Sequence, residues 1–149
     1  HTYPSSSKRY TLYDYNASGE LSKVKYYGNE DSYISDGYFS FVEIHYFDNQ
    51  ISHIFPDNYK LSSGEIKRKD DVKITIMYGD SGQIISISHW KREFDFKTLK
   101  EGDIYMNISK DFYYDDLGRI KKINWTIYKN IFNQKKPTKR EYIFTYLDR

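Results

Sequence analysis

The chain has 149 residues, a formal net charge of +2, 38% hydrophobic and 19% aromatic residues including 17 Tyr, and no Cys. Without Cys there is neither a disulfide framework nor a thiolate metal site, and so many aromatics argue against disorder. No apolar run approaches the roughly 18 residues that a membrane-crossing helix needs, and the length fits a single domain, 1–149, with a sizeable core.

In chain order, residues 1–7, with Pro4 and three serines, read as a loose lead-in. A pattern then recurs around five tyrosines, Tyr15, Tyr46, Tyr78, Tyr114 and Tyr146, at spacings of 31, 32, 36 and 32 residues. Two positions before each stands Tyr13, Ile44, Ile76, Phe112 or Phe144, and the residue between is mostly more polar. Such period-two alternation marks a strand with one buried face.

Each tyrosine is followed by a turn: Asn16-Ala17-Ser18-Gly19, Gly79-Asp80-Ser81-Gly82 and Asp115-Asp116-Leu117-Gly118. Their glycines accept the positive φ that hairpin turns of this length require. The second copy, Phe47-Asp48-Asn49, is one residue shorter and places Asn where Gly would stand. After the turns come Leu21…Val24, Ile51…Ile54, Ile84…Ile87 and Ile120…Ile123. A spacing of three cannot keep both residues on one face of a regular strand, so a bulge or bend is predicted directly after each turn.

The unit is therefore one β-hairpin plus a return connection, with a period near 32 residues, repeated four and a half times. Gly28 to Gly37 reads as polar loop, Pro56 to Asp71 as a charged connection, and Asn130 to Lys139 as a basic one. Lys91 to Asp103 is expected to hold a short helix around Thr98-Leu99-Lys100. Together these elements predict an all-β protein: an antiparallel meander of repeated hairpins, about nine or ten strands in a twisted or curled sheet. Stability should then depend mainly on neighbouring hairpins.

Charge is unevenly spread. Residues 119–149 carry +7, and residues 1–118 carry −5. The basic C-terminal third, with Trp125, Tyr128 and Phe132, has the residue types of a nucleic-acid surface. The acidic remainder would repel a long polyanion, so no nucleic-acid partner is expected.

Candidate chemistry is sparse. His45 stands eight residues from His53 across a short turn and near Glu43, the residue types of a surface metal site; two exposed sheet histidines is the plainer reading. His89, before Trp90, reads as a packed or rim residue. Asp115-Asp116 are adjacent on a turn, where Asp caps backbone N–H groups, rather than facing each other across a substrate as glycosidase carboxylates do. No nucleophile elbow, phosphate loop, zinc-protease or calcium-loop motif is present. No cofactor and no enzymatic activity are expected.

Tyr114-Asp115-Asp116-Leu117-Gly118-Arg119-Ile120-Lys121-Lys122-Ile123 resembles the YD repeat of RHS-type proteins, and Tyr15 to Val24 and Tyr78 to Ile87 match its frame. Small YD-like chains of this Tyr/Ile/Asn/Lys-rich style are similar to Bacteroidota envelope proteins, some of which are immunity partners of secreted toxins. The resemblance implies a periplasmic or cell-envelope location, with a signal or lipoprotein leader removed from the precursor. It also implies a non-enzymatic protein-binding domain that neutralises a secreted bacterial toxin. His45, Glu43, Tyr113, Trp90, Trp125 and Tyr128 are the expected partner-binding residues. A carbohydrate-binding or structural envelope module, with Trp90 or Trp125 stacked on sugar rings, is the alternative. A hydrolase using His45 or His89 ranks third.

Overall fold

The computed structural model describes residues 10–27, 39–95, 97–128 and 137–147. The expected lead-in, the loop from Gly28 to Gly37, most of the connection from Asn130 to Lys139 and the closing Asp148-Arg149 lie outside the described residues. The described residues are all-β, with ten strands, each antiparallel to its hairpin partner. It divides into two compact units, His1–Asp70 and Asp71–Arg149.

The first unit holds β1 (Tyr10–Tyr15), β2 (Leu21–Tyr27), β3 (Phe39–Phe47), β4 (Gln50–Lys60) and β5 (Ile66–Arg68). They pair in sequence order, with β5 on β4. The second unit holds β6 (Lys73–Tyr78), β7 (Ile84–Asp95), β8 (Lys100–Tyr114), β9 (Ile120–Ile127) and β10 (Thr138–Ile143), again in sequence order. Each unit is an open meander.

The predicted bulges are present at four of the repeat tyrosines, Tyr15, Tyr46, Tyr78 and Tyr114. Tyr15 pairs with Leu21 and Asp14 with Lys23, leaving Ser22 as the extra residue. Ser52, Ile85 and Lys121 take the same place beside Tyr46, Tyr78 and Tyr114. The extra residue restores phase, so Leu21 and Val24, three apart, both lie on the face of Tyr13 and Tyr15. The glycine turns follow one plan. In the last, Asp115 N–H donates to Arg119 O and Gly118 N–H to Asp115 O, with Gly118 at φ 75°. The shorter turn holds both Asp48 (φ 49°) and Asn49 (φ 60°) in the left-handed region, as a two-residue hairpin turn of the mirror-image type requires.

Three expectations are corrected. The connection from Pro56 to Asp71 contains strand: β4 continues through Pro56, and Leu61-Ser62-Ser63-Gly64 makes the same turn as the repeats and leads into β5. Pro56, which has no N–H to donate, sits in an irregularity where Phe41 pairs with Asn58 and Glu43 with Phe55. The helix around Thr98-Leu99-Lys100 is instead the turn between β7 and β8, with Leu99 at φ 53° and Asp95 Oδ1 accepting from Lys97 N–H. Finally, the described residues do not build the sizeable core. Among the described residues Phe41, 2% exposed, is the one fully buried apolar side chain. Within each unit the strands form a single layer, so the many Tyr and Ile rows are half-buried by their neighbours rather than covered by a second sheet.

Candidate partner-binding site

In the first unit, register aligns Lys25, Phe41, Asn58 and Arg68 across β2 to β5, and Lys23, Glu43 and Phe55 across β2 to β4. All these side chains share one face. Asn58, 1% exposed, ties its centre: Nδ2 donates to Phe41 O (3.2 Å) and Phe55 O (2.8 Å), closing the Pro56 irregularity.

Glu43 is the hub of this face. Its side chain is 13% exposed, and it accepts from Arg68 Nη2 at 2.6 and 2.8 Å. His45 Nε2 donates to its Oε1 at 2.5 Å, and Lys23 Nζ stands 3.9 Å away. Burial by itself would raise the Glu43 carboxyl, but the His45 hydrogen bond and the charges of Arg68, His45 and Lys23 outweigh it and hold the group below its ordinary value. A cavity of about 430 Å³ opens beside it, lined by Asn16, Ser22, Lys23, Glu43, Ile44, His45 and Tyr46.

Aromatic rings and cations interleave around the hub. Lys23 Nζ lies 4.7 Å from the Phe41 ring centre, and Lys25 and Lys60 lie 5.6 and 5.8 Å from that of Phe39. Phe39 also packs on Tyr27 and Phe41. Lys23, Lys25, Lys60 and Arg68 outnumber the carboxylates Glu43, Asp14 and Asp70, the last 3.8 Å from Arg68, so the face is cationic although residues 1–118 as a whole are acidic. His45 pairs with His53 across the hairpin, but both rings pack on Phe55, at 5.0 and 6.2 Å. Among the described residues no group of three His, Asp or Glu side chains is arranged to hold a metal ion.

The remaining expected residues belong to the second unit. Thr75, Ser88, Ser109, Thr126 and Lys139 form a polar row across β6 to β10. Trp90 shares this face and donates Nε1–H to Thr75 Oγ1 at 3.1 Å. So does Tyr113, beneath Lys122 Nζ at 4.5 Å. A cavity of about 430 Å³ is lined by Ser109, Asp111, Asn124, Trp125, Thr126, Tyr128, Lys139, Arg140 and Glu141. By register Trp125 lies on the opposite, apolar face, with Lys110 Nζ 4.6 Å from its ring centre and Tyr142 at 6.2 Å. In the first unit Glu43 and His45 stand together. In the second, Tyr113, Trp90 and Tyr128 share the polar face, and the Trp125 ring takes the opposite one although the residue also lines the Tyr128 cavity.

Sequence reasoning missed Arg68, Lys23, Lys25, Lys60 and the phenylalanines between them. Arg68 was hidden in a segment read as connection. The Leu61 to Gly64 turn, in the same frame as Asn16 to Gly19, was the signal that a further strand follows.

No family model and no curated protein matches the chain. Among solved structures it is similar to a protein of unknown function from Bacteroides fragilis NCTC 9343. The TM-score is 0.54 at 8% identity, over 93% of this chain and 94% of that one, a likeness of fold.

Proposed function

We propose that this protein is a non-enzymatic protein-binding module whose partner docks through an acidic patch onto the cationic, aromatic face of the first unit. The supporting observation is the Glu43–Arg68–His45 hub amid Phe39, Phe41 and Phe55, rimmed by Lys23, Lys25 and Lys60. Protein interfaces favour aromatic and Arg anchors inside a polar rim. Opposite charge speeds encounter and fixes register. In its finer form the proposal names the partner as a secreted bacterial toxin and the module as its immunity protein in the cell envelope, which rests on the resemblance of the Tyr114 to Ile123 motif.

The test is capture of partners from the source bacterium on immobilised wild-type protein and on a Lys23→Gln/Lys25→Gln/Lys60→Gln variant, which keeps flexible polar side chains and removes the charge. A near-stoichiometric protein held by the wild type, released by salt and lost with the variant, is the expected result. Absence of any such protein, or equal capture by both, would refute the proposal.

A further inference from the structure

Three repeat tyrosines make the same bond. Tyr46 Oη donates to Leu21 O at 2.9 Å, Tyr114 Oη to Ile84 O at 2.6 Å, and Tyr146 Oη to Ile120 O at 2.8 Å. In each case the acceptor is the first strand residue after the preceding repeat's turn, beside the bulge. The tyrosine hydroxyl thereby satisfies a carbonyl where the ladder is disrupted, and joins one hairpin to the next.

Tyr15 occupies the same position in its own hairpin, pairing with Leu21 at a bulge. It is 63% exposed, and among the described residues no carbonyl receives its hydroxyl. Its strand, β1, has β2 on one side and, among the described residues, no strand on the other. Leu12 and Tyr13 on β1 are also exposed, at 51% and 57%. A strand at the end of a sheet that carries exposed apolar side chains is a template for a further strand.

We infer that β1 is a strand-addition site, taking an extended partner segment of the form turn-apolar-x-x-apolar whose post-turn carbonyl accepts from Tyr15. The occupant's chemistry follows from the three bonds already made. Each repeat tyrosine reaches the strand before its own, and that strand begins just after a turn with apolar residues three apart. The inference deepens the protein-binding proposal and rests on it for the existence of a partner. Its own test requires none.

The probe is a synthetic peptide copying residues 79–90 of this chain, the turn and strand that Tyr114 grips, titrated against the intact protein by fluorescence anisotropy. The expected result is saturable binding with amide-exchange protection confined to residues 10–15, weakened about fivefold by Tyr15→Phe, the usual worth of one hydroxyl bond. Tyr142→Phe, on an exposed ring of the other unit, leaves it unchanged. No binding, binding insensitive to Tyr15→Phe, or protection mapping to β10 would overturn the inference. So would a Tyr15-dependent dimer in sedimentation, which assigns the edge to a second copy. Failure here with successful capture removes the edge site alone, whereas failed capture removes the partner.

Discussion

The hydroxyl of Tyr114 donates to the carbonyl of Ile84 at 2.6 Å, thirty residues upstream. Tyr46 and Tyr146 repeat the bond to Leu21 and Ile120, which explains why a tyrosine rather than phenylalanine stands at this point. Tyr114→Phe keeps the ring and leaves that carbonyl without its partner, a loss of about 1 kcal/mol. Denaturant unfolding should show that loss for Tyr114→Phe and for Tyr46→Phe. Stability equal to wild type would show the bonds to be incidental.

Asn58→Ala should be more damaging. The side chain is 1% exposed and bonds two carbonyls on either side of the Pro56 irregularity. Removing it leaves both acceptors buried, at a cost of about 2–3 kcal/mol. Thermal unfolding of the variant checks this, and an unchanged midpoint would mean that the irregularity closes without it.

Gly118 holds φ 75°, and an added Cβ would meet nothing within 4 Å. The cost of Gly118→Ala is therefore conformational alone, about 1 kcal/mol. Gly118→Asn, which tolerates that region better, should recover part of it in the same unfolding assay. Equal losses for both would point to a steric cause.

Acid sensitivity should appear in two steps. His89 is half-buried near Lys110 and Lys91, and burial first, then those charges, push its pKa below the ordinary 6.5. The unfolded chain takes up that proton first, so stability falls as pH drops below about 6.5, and His89→Gln should flatten this slope. Glu43 is held below its ordinary 4.5, so its contribution is complete above that pH and is lost as pH falls through the lower folded value. Unfolding midpoints from pH 7 to 3 separate the steps. A His89→Gln profile identical to wild type would contradict the first.

Much of this architecture was legible because hairpins are specified locally. The period-two rows before Tyr46 and Tyr114, the glycines at φ near 75–80° and the apolar spacing of three foretold strands, turns and bulges. Asp115 was legible as a turn cap: Oδ1 accepts from Leu117 and Arg119 N–H, as Asn16 Oδ1 does from Ser18 and Glu20. The candidate site was only half legible. Glu43 and His45 are two apart on one strand and so share a face by alternation. Arg68, 25 residues away, joins them only through the β4–β5 pairing, which a charged, Pro-containing segment disguised. The missing core was equally hidden, because alternation reports which face a side chain takes, not whether a second layer covers it.

Carbodiimide cross-linking of the captured complex, which joins lysine amines to activated carboxylates and is read by mass spectrometry, tests the central claim most directly. Cross-links from Lys23, Lys25 and Lys60 to acidic stretches of the partner are the predicted result. Cross-links confined to Lys121, Lys122 and Lys139, with the first three lysines unprotected, would contradict it.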